Sequence, residues 1–183
     1  MPKYERIYED KSDYYVTGSV FADQKRLREF YNDNINFLTD AYDIAKEVLK
    51  VKSKQTLRIR NIRAYSGLYK NGLKQVEVDI RSESLESIVS TIVHELRHAK
   101  QYEDKRLKND EGSWCFWRKR GEKNYIRIRQ YSPSENRQKY LDLPWEMDAR
   151  KAEKRYLPIV LKRLEEKYPN KVVYKKIKFK KVA

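Results

Sequence analysis

The chain holds two histidines, and they stand four residues apart in the stretch IVHELRHAKQY, as His94 and His98 with Glu95 between them. Positions i and i+4 of a helix lie one turn apart on the same face, so both imidazoles can direct a nitrogen at one ion about 2.0–2.1 Å away. Glu95 falls to the side of that pair, where a carboxylate can take a proton from an activated water rather than join the ligands. The competing reading is a surface stripe that carries two ordinary histidines. The single cysteine, Cys115, can neither close an internal disulfide nor complete a thiolate site. Any metal is therefore held by imidazole and carboxylate.

A catalytic zinc site takes a third protein ligand and keeps a position open for water. No third histidine exists, so that ligand must be Asp or Glu. Glu103 and Asp104 follow His98 on or just beyond the same helix and cannot curl back to it. The segment YLDLPWEMDARKAEKRY offers Glu146, in the first turn of a helix opened by Pro144, with Ala149 one turn later to let two helices approach. Glu146 is the expected third ligand. Asp148 is the runner-up, or a partner that holds a histidine Nδ1–H in place. A plainer role for both acids is to complement the helix dipole. Tyr140 and Arg150 flank Glu146 as candidates to stabilise developing negative charge.

Helix and strand patterns supply the supports for these residues. Between Asp23 and Lys50, Leu27, Tyr31, Leu38, Tyr42, Ala45 and Leu49 recur at helical spacing, with a possible break at Asn32-Asp33-Asn34. TLRIRNI and VEVDI alternate apolar and charged residues as strands do, and Asn71-Gly72 between them signals a hairpin turn. VEVDI reads as either a sheet edge open to an extended peptide or an interior strand. Ser82 or Ser84 can then cap a helix with Glu86 in its first turn, and Leu85, Ile88, Val89, Ile92, Val93 and Leu96 give that helix a broad buried face. The histidines thus ride on a core helix. Further on, SWCFWRKRGEKNYIRIRQY reads as an aromatic-rich hairpin turning near Gly121. Trp114, Trp117 and Arg118 in it suit either base stacking and phosphate contact or one apolar hairpin face, with Cys115 as a small buried side chain. A second long helix runs on from Pro144, with a possible kink at Pro158. VVYKKIKFKKV at the end is either a charge-guarded edge strand or a disordered tail.

The 183 residues, 39% apolar and 13% aromatic, suit one domain with a real core, residues 1–183, carrying a basic C-terminal segment over 171–183. No apolar run approaches the roughly 20 residues of a transmembrane helix and no signal core is visible, so a soluble, cytoplasmic protein is expected. The net charge is +15, and Lys171 to Ala183 carry six lysines and no acid. Such a field favours an anionic partner such as nucleic acid, or simply solubilises the surface.

VHELRH followed by PWEMDARKAE resembles the gluzincin-type zincin metallopeptidases, especially the short ImmA/IrrE-like and phage or mobile-element HExxH peptidases. That resemblance implies an α+β fold with a small antiparallel sheet packed on the HExxH helix and on a second, ligand-bearing helix. It implies Zn2+ held by His94, His98 and Glu146, with Glu95 as catalytic acid and base, and hydrolysis of peptide bonds in a specific protein substrate. The alternative is a non-catalytic, basic nucleic-acid-binding protein that keeps a zincin-like fold.

Overall fold

The structure is a computed structural model that describes residues 15–17, 21–60, 65–79, 84–169 and 171. Its first element is the strand β1, Tyr15–Thr17, followed by the helix α1, Phe21–Val48, and the strand β2, Thr56–Arg60. β3, Gly67–Lys70, and β4, Gln75–Asp79, come next, and then α2, Leu85–Glu103. The second half holds β5, Leu107–Asn109, β6, Trp114–Trp117, β7, Ile126–Arg129, the short helix α3, Arg137–Leu141, and α4, Pro144–Lys167. The fold class is α+β, as expected.

Four strands form a sheet in the order β1-β2-β4-β3. Asn71-Gly72 does make the expected tight turn, as a short 3-10 segment, but it joins β3 to β4. TLRIR lies parallel to VEVD, with Leu57 opposite Val76 and Ile59 opposite Val78. The hairpin therefore inserts β4 between β2 and β3, and the sheet is mixed rather than purely antiparallel. Alternation tells which face a residue takes and not which strand lies next to it. VEVD is consequently interior, and β3 is the edge beside α2. Ile80, the last residue of that expected strand, lies outside the described residues.

The alternation itself is obeyed. Leu57, Ile59, Val76 and Val78 are buried on the helix side of the sheet. Glu77 is buried on the other side, where Lys70 Nζ lies 2.8 Å and Arg58 Nη1 3.4 Å from its Oε1. Leu85, Ile88, Val89, Ile92, Val93 and Leu96 of α2 are all buried in the main core with Phe37, Leu38, Ala41, Tyr42 and Ala45 of α1. Each large aliphatic chain so buried is worth about 1.5–3 kcal/mol. Ser84 caps α2, its Oγ accepting from the Ser87 N–H at 3.1 Å, which is worth about 1 kcal/mol.

α1 runs unbroken through Asn32-Asp33-Asn34. Helix propensity there costs only tenths of a kcal/mol per residue, and the buried stripe outweighs it. α4 likewise continues past Pro158. β5, β6 and β7 form a separate antiparallel sheet, with Gly121 at φ +85° in the connection where the turn was expected. Cys115 and Trp117 are buried there with Leu107, Leu143 and Trp145. The C-terminal strand or tail expected after Lys171 lies outside the described residues.

β3 approaches α2 so closely that Gly67 has no room for a side chain. A Cβ at that position would sit 2.3 Å from Thr91 Cγ2 and 3.0 Å from Glu95 Cγ, both on α2. Gly67→Ala is therefore expected to destabilise the protein by about 1–3 kcal/mol, the usual cost of overpacking, as measured by urea unfolding. A midpoint unchanged from wild type would show that the strand and helix are less tightly apposed.

Candidate metal centre

α2 and α4 pack against each other, and their small residues Ala99, Ala149 and Ala152 are all buried. The crossing brings the first turn of α4 over the middle of α2. His94 Nε2 and His98 Nε2 lie 3.3 Å apart. Glu146 faces both, with Oε2 3.3 Å from His94 Nε2 and Oε1 3.4 Å from His98 Nε2. Atoms bound about 2.0–2.1 Å from a tetrahedral ion sit roughly 3.3–3.4 Å from one another. The spacing of the three side chains therefore fits a single small divalent cation, and their chemistry, two imidazoles and a carboxylate, suits the borderline-soft metals. Among the described residues this trio is a cluster able to hold a metal.

The outer nitrogens of both rings are already committed. His94 Nδ1 lies 3.2 Å from Glu153 Oε2, and Ser90 Oγ donates to the other oxygen of Glu153. His98 Nδ1 lies 3.0 Å from Gln101 Oε1. The orientation of that amide follows from its nitrogen, which donates to the Trp145 carbonyl at 2.9 Å and to Asp148 Oδ2 at 2.8 Å. Both Nδ1 atoms thus face acceptors and carry protons, which leaves the Nε2 lone pairs of the neutral rings aimed at each other and at Glu146. Three electron-rich atoms so arranged repel unless positive charge lies among them.

Without a metal, protons supply that charge. Burial favours the neutral imidazole of His94, but the bonds to Glu146 and Glu153 outweigh it and push its pKa up to about 10. His98 is raised in the same way, burial being overcome by Glu146 and Glu95. Burial opposes ionisation of Glu146, yet the two histidines hold its carboxyl well below the usual range.

Glu95 stands beside the trio without joining it. It is buried, and burial pushes its carboxyl pKa up against the pull of His98 and His94. The backbone of Tyr69, on β3, opposes that rise by favouring the ionised form. An open cleft of about 640 Å³ ends on His94 and Glu95, walled by Gly67 of β3 and by Pro133, Tyr140 and Leu141. Tyr140 faces Glu146, and burial together with that carboxylate raises its phenol pKa well above the usual value, so it stays neutral.

His94, Glu95, His98 and Glu146 are therefore brought together as the sequence suggested. Asp148 is not at the ligand position; Arg97 Nε at 2.8 Å and Arg106 Nη1 at 3.3 Å hold it beside Gln101, so it positions His98 at one remove. Glu103 is occupied by the backbone N–H groups of Lys52 and Ser53. Arg150 bonds to the Leu141 carbonyl and does not line the cleft. Trp117 is 2% exposed, with its ring 6.4 Å from that of Trp145, so base stacking is closed to it. Cys115 is buried, as expected. Glu153 and Gln101 were not singled out from sequence; their spacings of seven from Glu146 and three from His98 place each one or two helical turns from a member of the trio, the signal that marks them.

No helix among the described residues is long and apolar enough to cross a membrane. No protein-family model matches the sequence, and no curated protein or solved structure matches it significantly.

The pairing of His94 with two carboxylates can be checked on metal-free protein. A pKa raised from 6.5 to about 10 means that protonated His94 contributes stability in full below pH 6.5 and loses it as the pH rises through 10. Ring NMR of chelator-treated protein should show His94 still charged at pH 8 in wild type. In Glu146→Ala its titration should fall by at least about one unit, and an unmoved titration would break the assignment.

Proposed function

We propose that the protein is a zinc-dependent metallopeptidase, with His94, His98 and Glu146 as zinc ligands and Glu95 as general base and acid. The observation that carries this reading is the convergence of the three side chains, with donor atoms 3.3 to 3.4 Å apart, beside a second carboxylate, that of Glu95, in an open cleft. Zinc held there would act as a Lewis acid on a scissile carbonyl and ease deprotonation of water.

The chain's own residues supply the rest. Glu95 takes a proton from the attacking water and returns it to the leaving amine. Its raised pKa suits that exchange, because a carboxylate held well below the working pH gives protons back poorly. Tyr140, a neutral phenol beside Glu146, is placed to donate to the oxygen on which charge develops. β3 is the sheet edge at the cleft, with Ser66 and Gly67 on its wall, so an extended peptide can pair with its backbone and pass His94 and Glu95. The substrate class is accordingly a protein or peptide in extended form.

Elemental mass spectrometry of the purified protein should find about one zinc per chain. Glu146→Ala should lose it. Asp148→Ala, which disturbs only the support of His98, should weaken binding about 10–100-fold. The reverse order of the two variants would overturn the ligand assignment.

Catalysis is read separately. Cleavage of a mixed peptide library, followed by mass spectrometry, should fall about 10²–10⁴-fold in Glu95→Gln while zinc content stays as in wild type. A zinc-loaded wild type that cuts no peptide, or a variant that cuts as well as wild type, would end the peptidase reading.

A further inference from the structure

A second cavity, of about 740 Å³, opens on a different stripe of α2 from the catalytic cleft. Arg97, Lys100 and Asp104 line it, whereas Thr91, His94 and Glu95 line the cleft. Nine of its lining residues are Lys or Arg and two are carboxylates. The excess is the local concentration of a chain whose net charge is +15.

These cations fall into two groups. Arg97 and Arg106 form the floor and are spent on Asp148; Lys100 is spent on Glu103 and Asp104, and Lys119 faces Glu122 at 3.9 Å. Lys50 and Lys52 at the end of α1, Arg118 and Arg120 after β6, and Arg155 on α4 have no carboxylate partner among the described residues. All five are exposed or half-buried. Arg118 makes a long bond to the Asp104 carbonyl, and Arg155 lies over the Tyr156 ring, contacts that hold a guanidinium in place without neutralising it. Self-repulsion among five such charges from three parts of the chain is relieved by an anion that reaches several of them at once.

We infer that this groove binds the phosphodiester backbone of nucleic acid, without regard to sequence. Its volume exceeds what a single phosphate needs, and its free charges come from separate elements, which matches a chain of regularly spaced anions better than a single one. Three of the five are arginines, whose forked donors fit phosphate oxygens in pairs. Among the described residues that line it the aromatic is Tyr156, which is packed against the main core rather than presented for base stacking. Backbone contact without stacking positions a partner and reads no sequence. The inference does not rest on the peptidase reading, since neither the trio nor Glu95 lines the groove.

The test is fluorescence anisotropy of the full chain with a labelled 20-nucleotide oligothymidine, over a salt series. Each phosphate neutralised on a single strand steepens the slope of log K against log salt by about 0.7. Arg118→Ala/Arg120→Ala/Arg155→Ala should flatten that slope by about 2 and weaken binding at least tenfold at 100 mM salt. The charge control Lys74→Ala/Lys139→Ala, at two residues that do not line the groove, should bind at least tenfold more tightly than the triple variant. Circular dichroism checks that both variants fold. Equal binding by wild type and the triple variant would overturn the proposal. So would tighter binding of a poly-glutamate peptide than of the oligonucleotide, which would make the groove a dock for acidic protein, or no binding of the oligonucleotide at 50 mM salt.

Discussion

The centre of the protein is an electrostatic constraint: two imidazole nitrogens and a carboxylate are held within 3.4 Å of one another at the crossing of α2 and α4. Such a cluster is unfavourable until positive charge enters it, and removing charge from water inside a protein costs several kcal/mol per ion. The fold meets that cost by satisfying the outer atoms of both rings. Glu153, anchored by Ser90, and Gln101, anchored by Asp148 and the Trp145 carbonyl, fix which nitrogen of each ring carries the proton. The inner nitrogens are left as donors to whatever cation occupies the space. A buried polar network of this kind holds its geometry only if every member is satisfied, and here each support is itself bonded.

Holding Glu146 over α2 requires a fixed start for α4, and the second sheet provides it. Leu143 and Trp145 flank Pro144 and bury themselves with Leu107, Cys115 and Trp117. The Arg106 guanidinium, 4.5 Å from the centre of the Trp117 ring, ties that small core to Asp148 through a salt bridge. The aromatic run in β6 is thus a clamp on the turn that carries Glu146, and its buried tryptophan serves packing. That is the physical reason why a cluster of tryptophan and arginine that looks fit for bases is largely unavailable to them. Trp114, with the Arg127 guanidinium over it, is the exposed member of the pair.

The convergence of His94, His98 and Glu146 was legible in the sequence because each part of it is a local pattern. His94 and His98 at i and i+4 share a face whatever surrounds them, and elimination left a carboxylate near the start of another helix. Glu146 was reachable because Pro144 marks that start and Ala149 permits a close crossing. Asp148 was ambiguous because its neighbours in space, Arg97, Gln101 and Arg106, lie more than 40 residues away in sequence, and no period announces them. Strand pairing was harder for the same reason. Asn71-Gly72 specifies a tight turn but not that β4 slips between β2 and β3, a choice made by the packing of Leu57, Ile59, Val76 and Val78 beneath α2. The short α3, which carries Tyr140 to Glu146, has no apolar stripe long enough to read.

Asp148 is where the two halves of the molecule's charge meet. On one side it accepts from Gln101 and so steadies His98; on the other it neutralises Arg97 and Arg106 at the floor of the basic groove. The arginines in return hold its carboxyl below the usual range, although burial alone would raise it. An anion entering the groove does not have to break these pairs, because the cations without carboxylate partners among the described residues stand outside them, on the loops after α1 and β6 and on α4. The floor is committed to structure and the outer cations are left for ligand. That division leaves Asp148 as the carboxylate through which the basic groove meets the cluster of His94, His98 and Glu146: it faces Arg97 and Arg106 on one side and Gln101 on the other.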